Sequence, residues 1–270
     1  MITEHLDKPL EQAGYLDFRG AHLHVVLHEA TDPMARVLLV GPFAPDRHFS
    51  YVPWVRWARY LADRRIEALR FDYRGVGEST GIFEEMGFGS WTADVQFLAS
   101  WLRTRSPDVP VILHGLGLGA LLASKAFAAG AGDGLLCWSV PKNANEVLRR
   151  ALSHRVAADQ MSRGANDRKS LQEYVRQLEA DQHLEVDGYR WTGQLWRESF
   201  EIEAPFNRTD DDNSTGSSDR PIRVVKLDRS AALLSGSSYL VSLNPDLTHL
   251  FAGNFEWIAE AVTTLQIRHQ

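Results

Sequence analysis

The chain has 270 residues, 44% of them hydrophobic and 24% charged, with a formal net charge of −6. This composition excludes a largely disordered chain and describes one soluble globular α/β unit carrying an inserted segment. The negative balance and the lack of any long Lys/Arg-rich stretch argue against a nucleic-acid partner.

The N-terminus, MITEHLDKPLEQAGYLDF, lacks the basic start and apolar stretch of an export signal, and no run approaches the roughly 18 apolar residues that span a bilayer, so a cytoplasmic address and no transmembrane segment are expected. Residues 15–28, YLDFRGAHLHVVLH, predict two short strands turning at Arg19-Gly20. ARVLLVGPF (35–43) is an unbroken apolar run ended by Gly41-Pro42, the pattern of a strand buried on both faces. In SYVPWVRWARYLADRR (50–65), Trp54, Trp57, Ala58 and Leu61 fall at helical spacing, with Pro53 suited to a first turn. IEALRFDYRGVGESTG (66–81) predicts a strand and a glycine-punctuated loop. SWTADVQFLASWLRTR (90–105) follows, placing Trp91, Val95, Leu98 and Leu102 on one helix face. VPVILHG (109–115) then leads into the helix LGALLASKAFAAG (118–130), and GLLCWSVP (134–141) is a further strand. Its Cys137 is the only cysteine, so no intrachain disulfide can form, and it reads as a small buried hydrophobe. The alternation of strands and helices predicts a mostly parallel sheet with helices on both faces.

After Pro141 the pattern changes. NEVLRRALSHRVAADQMSR (145–163) and DRKSLQEYVRQLEADQ (167–182) are helical with no strand between them, and TGQLWRESFEIEA (192–204) adds a third helical piece after VDGYRW. The expected division is therefore 1–140 as the first part of the core, 141–204 as an inserted helical cap, and 205–270 as the rest of the core, with a polar mobile loop over 207–220. Arg149, Arg150 and Arg155 give the insertion a basic side, read as a solvated face rather than an acidic-ligand site. PIRVVKLD (221–228) and SSYLVSLN (237–244) predict strands, and NFEWIAEAVTTLQ (254–266) an amphipathic closing helix.

Gly115-Leu116-Gly117-Leu118-Gly119 has the spacing of a catalytic elbow, G-x-S-x-G, in which small flanking residues let a strand turn sharply into a helix. The apex is glycine. Taken with VLLVGPFAP (37–45), RFDYRGVGEST (70–80) and LNPDLTHLF (243–251), the order of elements resembles the α/β-hydrolase superfamily over nearly the whole chain. Within it, GPFAP, GLGLGALL, CWSVP and VDGYRWTGQL resemble the hydrolase-like proteins associated with exosortase systems, which often carry a non-serine residue at the elbow. The resemblance implies an α/β-hydrolase fold in which Gly117 takes the nucleophile position and His249 the base. Asp228 then orients the base, with Asp246 in reserve, and the backbone N–H groups of Phe43 or Ala44 and of Leu118 form an oxyanion hole.

Glycine has no atom that attacks a carbonyl, and removal of a nucleophilic serine lowers turnover by about 10⁶-fold, roughly 8 kcal/mol. Ser139 and Ser79 lie off the elbow, and His114, at the strand end before the turn, reads as a packed residue. Three readings stay open: a non-catalytic ligand-binding or scaffolding protein; an enzyme using a His249/Asp228 dyad without an acyl-enzyme; and a hydrolase with another nucleophile, acting on an ester, thioester or other small acyl substrate. The corresponding partner is a small acyl ligand or a protein. No metal-ligand spacing, phosphate loop or dinucleotide fingerprint is present, so no metal and no cofactor are expected.

Overall fold

The computed structural model describes residues 11–43, 45–162, 168–203, 220–227 and 246–268. The chain opens with β1 (Glu11–Phe18) and β2 (Ala21–His28), paired antiparallel with Phe18 opposite Ala21. Arg19 and Gly20 both adopt positive φ, 50° and 77°, which suits the twist of a two-residue hairpin. β3 (Ala35–Val40), β4 (Ile66–Phe71), β5 (Val111–Leu116), β6 (Gly134–Trp138) and β9 (Ile222–Val225) complete a seven-stranded sheet in the order β1-β2-β4-β3-β5-β6-β9. From β4 through β9 the neighbours pair in parallel. Every residue of β3, β5 and β6 is buried, as a strand covered on both faces requires.

Helices cover both faces, as the strand–helix alternation implies. On one side lie α2 (Phe88–Arg105) and α3 (Leu118–Ala128), with Trp91, Val95, Leu98 and Leu102 of α2 fully buried against the sheet. At about 1.5–3 kcal/mol per buried large apolar side chain, that stripe outweighs the weak intrinsic preference of a helix containing Trp, Thr and Val. On the other side lie α1 (Pro45–Ala62) and α7 (Thr248–Arg268), packed on Val37, Leu39, Ile112 and Leu136 through Trp54, Trp57, Leu61 and Ile258. Trp54, Trp57, Trp138 and Trp191 are all core residues.

Two boundaries differ from expectation. Pro53 lies inside α1 rather than in its first turn, because the helix starts at Pro45, itself a residue suited to a helix start. α7 starts six residues before the expected NFEWIAEAVTTLQ segment, which puts His249 on its first turn rather than in a loop.

The segment after β6 forms α4 (Ala144–Ser162), α5 (Leu171–Glu179), a short hairpin β7 (Leu184–Val186) and β8 (Tyr189–Trp191), and α6 (Gly193–Glu198). α5 begins with a reciprocal capping box between Ser170 and Glu173. Leu148, Leu152, Tyr174, Leu178, Trp191 and Trp196 join the same apolar cluster as Phe43, Trp91 and Leu121, so the insertion packs on the α2–α3 side. The loop expected over 207–220 lies outside the described residues except for Arg220, whose guanidinium sits 3.8 Å over the Phe127 ring and donates to the Phe127 carbonyl at 2.7 Å. The strand expected over 237–244 lies outside them entirely.

Candidate functional site

β5 runs into α3 through a single residue. Gly117 has φ 59° and ψ −123°, a conformation that an L side chain adopts only at a cost of about 1–3 kcal/mol. Its N–H donates to the Trp138 carbonyl at 3.0 Å and its own carbonyl accepts from Ala120 at 3.0 Å, tying the corner to β6 on one side and to α3 on the other. The flanking glycines are required by contact. A Cβ on Gly115 would sit 2.6 Å from the Ala120 nitrogen, and one on Gly119 would sit 2.7 Å from the Val40 carbonyl carbon. The expected sharp strand-to-helix turn is therefore present, with glycine at its apex. The N–H groups at the start of α3, Leu118 among them, have no acceptor one turn back within the helix, which is the arrangement that receives negative charge.

The loop after β3 is held beside this corner. The Tyr73 hydroxyl donates to the Gly41 carbonyl at 2.7 Å, and the Phe43 side chain is buried among Phe83, Trp91, Tyr189 and Trp191, with ring centroids 5.2–6.2 Å away. That aromatic group joins the loop, α2 and the β7–β8 hairpin, so only the backbone of Phe43 is available as a donor. Ala44 lies outside the described residues.

His249 is exposed on the first turn of α7. Phe251, two residues on, packs against Trp57 at 4.9 Å and against Trp138 at 6.4 Å. Since Trp138 ends β6, His249 lies at the carboxyl edge of the sheet, the edge where the elbow stands. Asp246 accepts the Thr248 N–H at 3.0 Å, the local turn bond expected of its NPD setting, and that bond, with smaller help from His249 and Arg56, holds its carboxyl below the usual range. Asp228 lies outside the described residues.

The other sequence candidates resolve into packing roles. His114 is fully buried and accepts from Trp57 Nε1 at 2.9 Å, with the Trp138 ring at 4.4 Å; burial holds its pKa well below the usual imidazole value, so it is neutral. Ser79 donates to the Asp72 carbonyl at 2.6 Å and accepts from the His24 N–H, and Ser139 accepts from Leu227 at 3.4 Å. The three insertion arginines are engaged within the chain: Arg149 bonds Asn145 at 2.9 Å, Arg150 lies 3.8 Å from Asp46, and Arg155 pairs with Asp159 at 3.1 Å.

A second titratable group went unnoticed in the sequence. Burial raises the carboxyls of Asp46 and Asp187, opposed by Arg150 and His154 at Asp46 and by His48, His154 and Arg155 at Asp187. These residues meet where the start of α1 faces α4 and the β7–β8 turn, a meeting of segments more than 100 residues apart that no local pattern announces. Among the described residues, no group of three or more His, Cys, Asp or Glu side chains converges as metal ligands would, and no helix is long and apolar enough to cross a membrane.

No protein-family profile matches the chain, and no curated protein matches it. Solved structures do. Est1E from Butyrivibrio proteoclasticus, determined with ferulic acid bound, matches with a TM-score of 0.63 and 13% identity over 93% of this chain and 100% of that one. A hypothetical protein from Pseudomonas aeruginosa matches with a TM-score of 0.53 and 15% identity over 82% of this chain and 78% of that one. An α/β serine hydrolase without lid from Xanthomonas campestris is 24% identical over 49% of this chain, with a TM-score of 0.42, and the match spans 62% of that protein's length. The fold is that of the α/β hydrolases.

Proposed function

We propose that this chain is a non-catalytic ligand-binding or scaffolding protein built on the α/β-hydrolase fold, with residues 141–204 acting as a helical cap over the elbow and the small acyl ligand or protein partner held between them. One observation carries the reading: the residue at the apex of the sharp strand-to-helix turn, φ 59° and ψ −123°, is glycine. An acyl-enzyme needs an oxygen or sulfur at that point. The stretches GPFAP, GLGLGALL and CWSVP support placing the chain among the exosortase-associated hydrolase-like proteins.

The test is a fluorophosphonate trap run beside a broad ester, thioester and lyase screen, on the native chain and on His249→Ala. The binding reading expects neither an adduct nor any turnover that depends on His249. Turnover lost in His249→Ala without an adduct would replace it with the His249/Asp228 dyad enzyme. A covalent adduct would reveal a hydrolase with a different nucleophile. Gly117→Ser adds a gain-of-function arm: esterase activity in the folded variant would mean that donors and base are still aligned about the apex.

A further inference from the structure

On the β4 side of β3, a recess of about 40 Å³ opens between the start of α1, the loop after β3 and the end of β4. Arg47, Tyr51 and Trp54 of α1, Arg70 of β4, Gly41 and Asp72 border it. That volume accommodates about three waters, or one small charged head group, and is far too small for a nucleotide.

The two guanidinium groups are not equivalent. Arg47 is balanced by Asp72 at 2.5 Å, and the other Asp72 oxygen accepts the Glu78 N–H at 3.0 Å, with His24 Nδ1 3.7 Å away. Arg70 has no carboxylate within 4 Å among the described residues. Its Nε donates at 2.9 Å to Nε2 of His28, a fully buried histidine, and its guanidinium also meets the Tyr51 hydroxyl and ring. Since Nε2 accepts, the neutral His28 ring carries its proton on Nδ1, 3.7 Å from Glu11. The Glu11 and Asp72 carboxylates act on this largely buried guanidinium only from beyond 4 Å, so among the described residues it has no ion-pair partner in contact, and burial lowers its pKa. The fork of terminal N–H donors on such a residue matches a carboxylate bidentately.

We propose that this recess binds the carboxylate of a small organic acid, with Arg70 as the anchor, Arg47 as a second donor and the Tyr51 and Trp54 rings against the acid's carbon chain. Asp72 remains a negative charge on the wall, offset by Arg47 at 2.5 Å, so the attraction for a carboxylate rests on Arg70. Gly41 is shared between this recess and the loop beside the elbow.

The test is an NMR titration of the ¹⁵N-labelled chain with sodium propionate at constant ionic strength, with sodium chloride as the control, following the Arg70 Nε–H and Trp54 indole N–H signals. Saturable shifts of both with propionate, and none with chloride, are the expected result. Arg70→Gln removes the anchor and abolishes the response. Arg70→Lys keeps the charge and loses the fork, weakening binding by roughly tenfold. It carries the test if the glutamine variant fails to fold by circular dichroism. No saturable shift, or a response unchanged in Arg70→Lys, overturns the site. Tighter binding of inorganic phosphate than of propionate overturns the carboxylate assignment.

Discussion

The strongest claim about the elbow is that α3 touches β3 with no atom to spare, and Gly119→Ala tests it. In an ordinary helix this change is favourable by about 1 kcal/mol, since alanine has the higher propensity. Gly89 provides the control: it lies in α2, and a Cβ there meets nothing within 4 Å. At Gly119 the same Cβ would land 2.7 Å from the Val40 carbonyl carbon and nearer still to the carbonyl oxygens of Val40 and Gly41. These are backbone atoms of a strand paired on both sides, so no rotamer relieves the overlap and the helix must move off the strand. Overpacking of this kind costs about 1–3 kcal/mol, and its rigid backbone setting puts Gly119→Ala near the top of that range, about 3 kcal/mol. With roughly 2–4 °C lost per kcal/mol in a domain of this size, the melting temperature falls by about 6–12 °C. Thermal melts by circular dichroism, with urea unfolding to verify an unchanged slope, measure it. If Gly119→Ala melts with Gly89→Ala, the close approach of α3 and β3 is wrong, and with it the placement of the Leu118 donors beside the loop of Gly41–Phe43.

Three further outcomes follow from buried groups. Burial, with the Arg70 charge, holds the His28 imidazole down to about 4 against help from Glu11, while Arg59 lowers it further. A depressed folded pKa contributes stability that is present above the unfolded value of about 6.5 and lost as pH falls toward 4, about 3 kcal/mol in all, so urea unfolding of His28→Gln at pH 7 and pH 4.5 should show a flatter dependence than the native chain; equal slopes would refute it. Arg74 and Asp94 form a buried pair at 2.5 Å, with side chains 7% and 0% exposed, and Asp94→Ala should cost about 3–5 kcal/mol by leaving the guanidinium charge uncompensated; a loss under about 1 kcal/mol would mean that water reaches the pair. Burial pushes the Cys137 thiol up to about 12, so iodoacetamide at pH 8 should modify it only after unfolding, and stoichiometric labelling of the native chain, read by mass spectrometry, would contradict its packing.

The sheet was legible in the sequence where burial is two-sided. β3, β5 and β6 are short apolar runs because both faces are covered, and α2 declares itself because its buried stripe repeats at helical spacing. The turn at Arg19-Gly20 was legible from two adjacent positions that take positive φ. The same chemistry at Asp187-Gly188, φ 51° and 81°, marks the β7–β8 turn, but its three-residue strands are too short for alternation to show. The start of α1 was hidden by the polar stretch after Pro45, which let Pro53 pass for the first turn. The aromatic group about Phe43 and the charges about Asp46 and Asp187 were not legible at all, because their members come from the β3 loop, α2 and the insertion, and only the folded chain brings them together.

The elbow is a case in which a legible motif supports less than its history suggests. In G-x-S-x-G the outer glycines serve the approach of helix to strand, and here they still do: Gly115 faces the Ala120 backbone and Gly119 faces the backbone of Val40 and Gly41. The apex conformation follows from those contacts and from the Gly117 bonds to Trp138 and Ala120, none of which involves a side chain at 117. The corner is therefore held by packing that serves the fold whether or not anything reacts there. Glycine at the apex also relieves the strain that a serine would bear, so Gly117→Ser is expected to lower stability by about 1–3 kcal/mol even if it restores a nucleophile. A variant that gained esterase activity and lost stability together would separate the two roles of this turn; one of unchanged stability would mean that the surrounding structure does not enforce the backbone angles of residue 117.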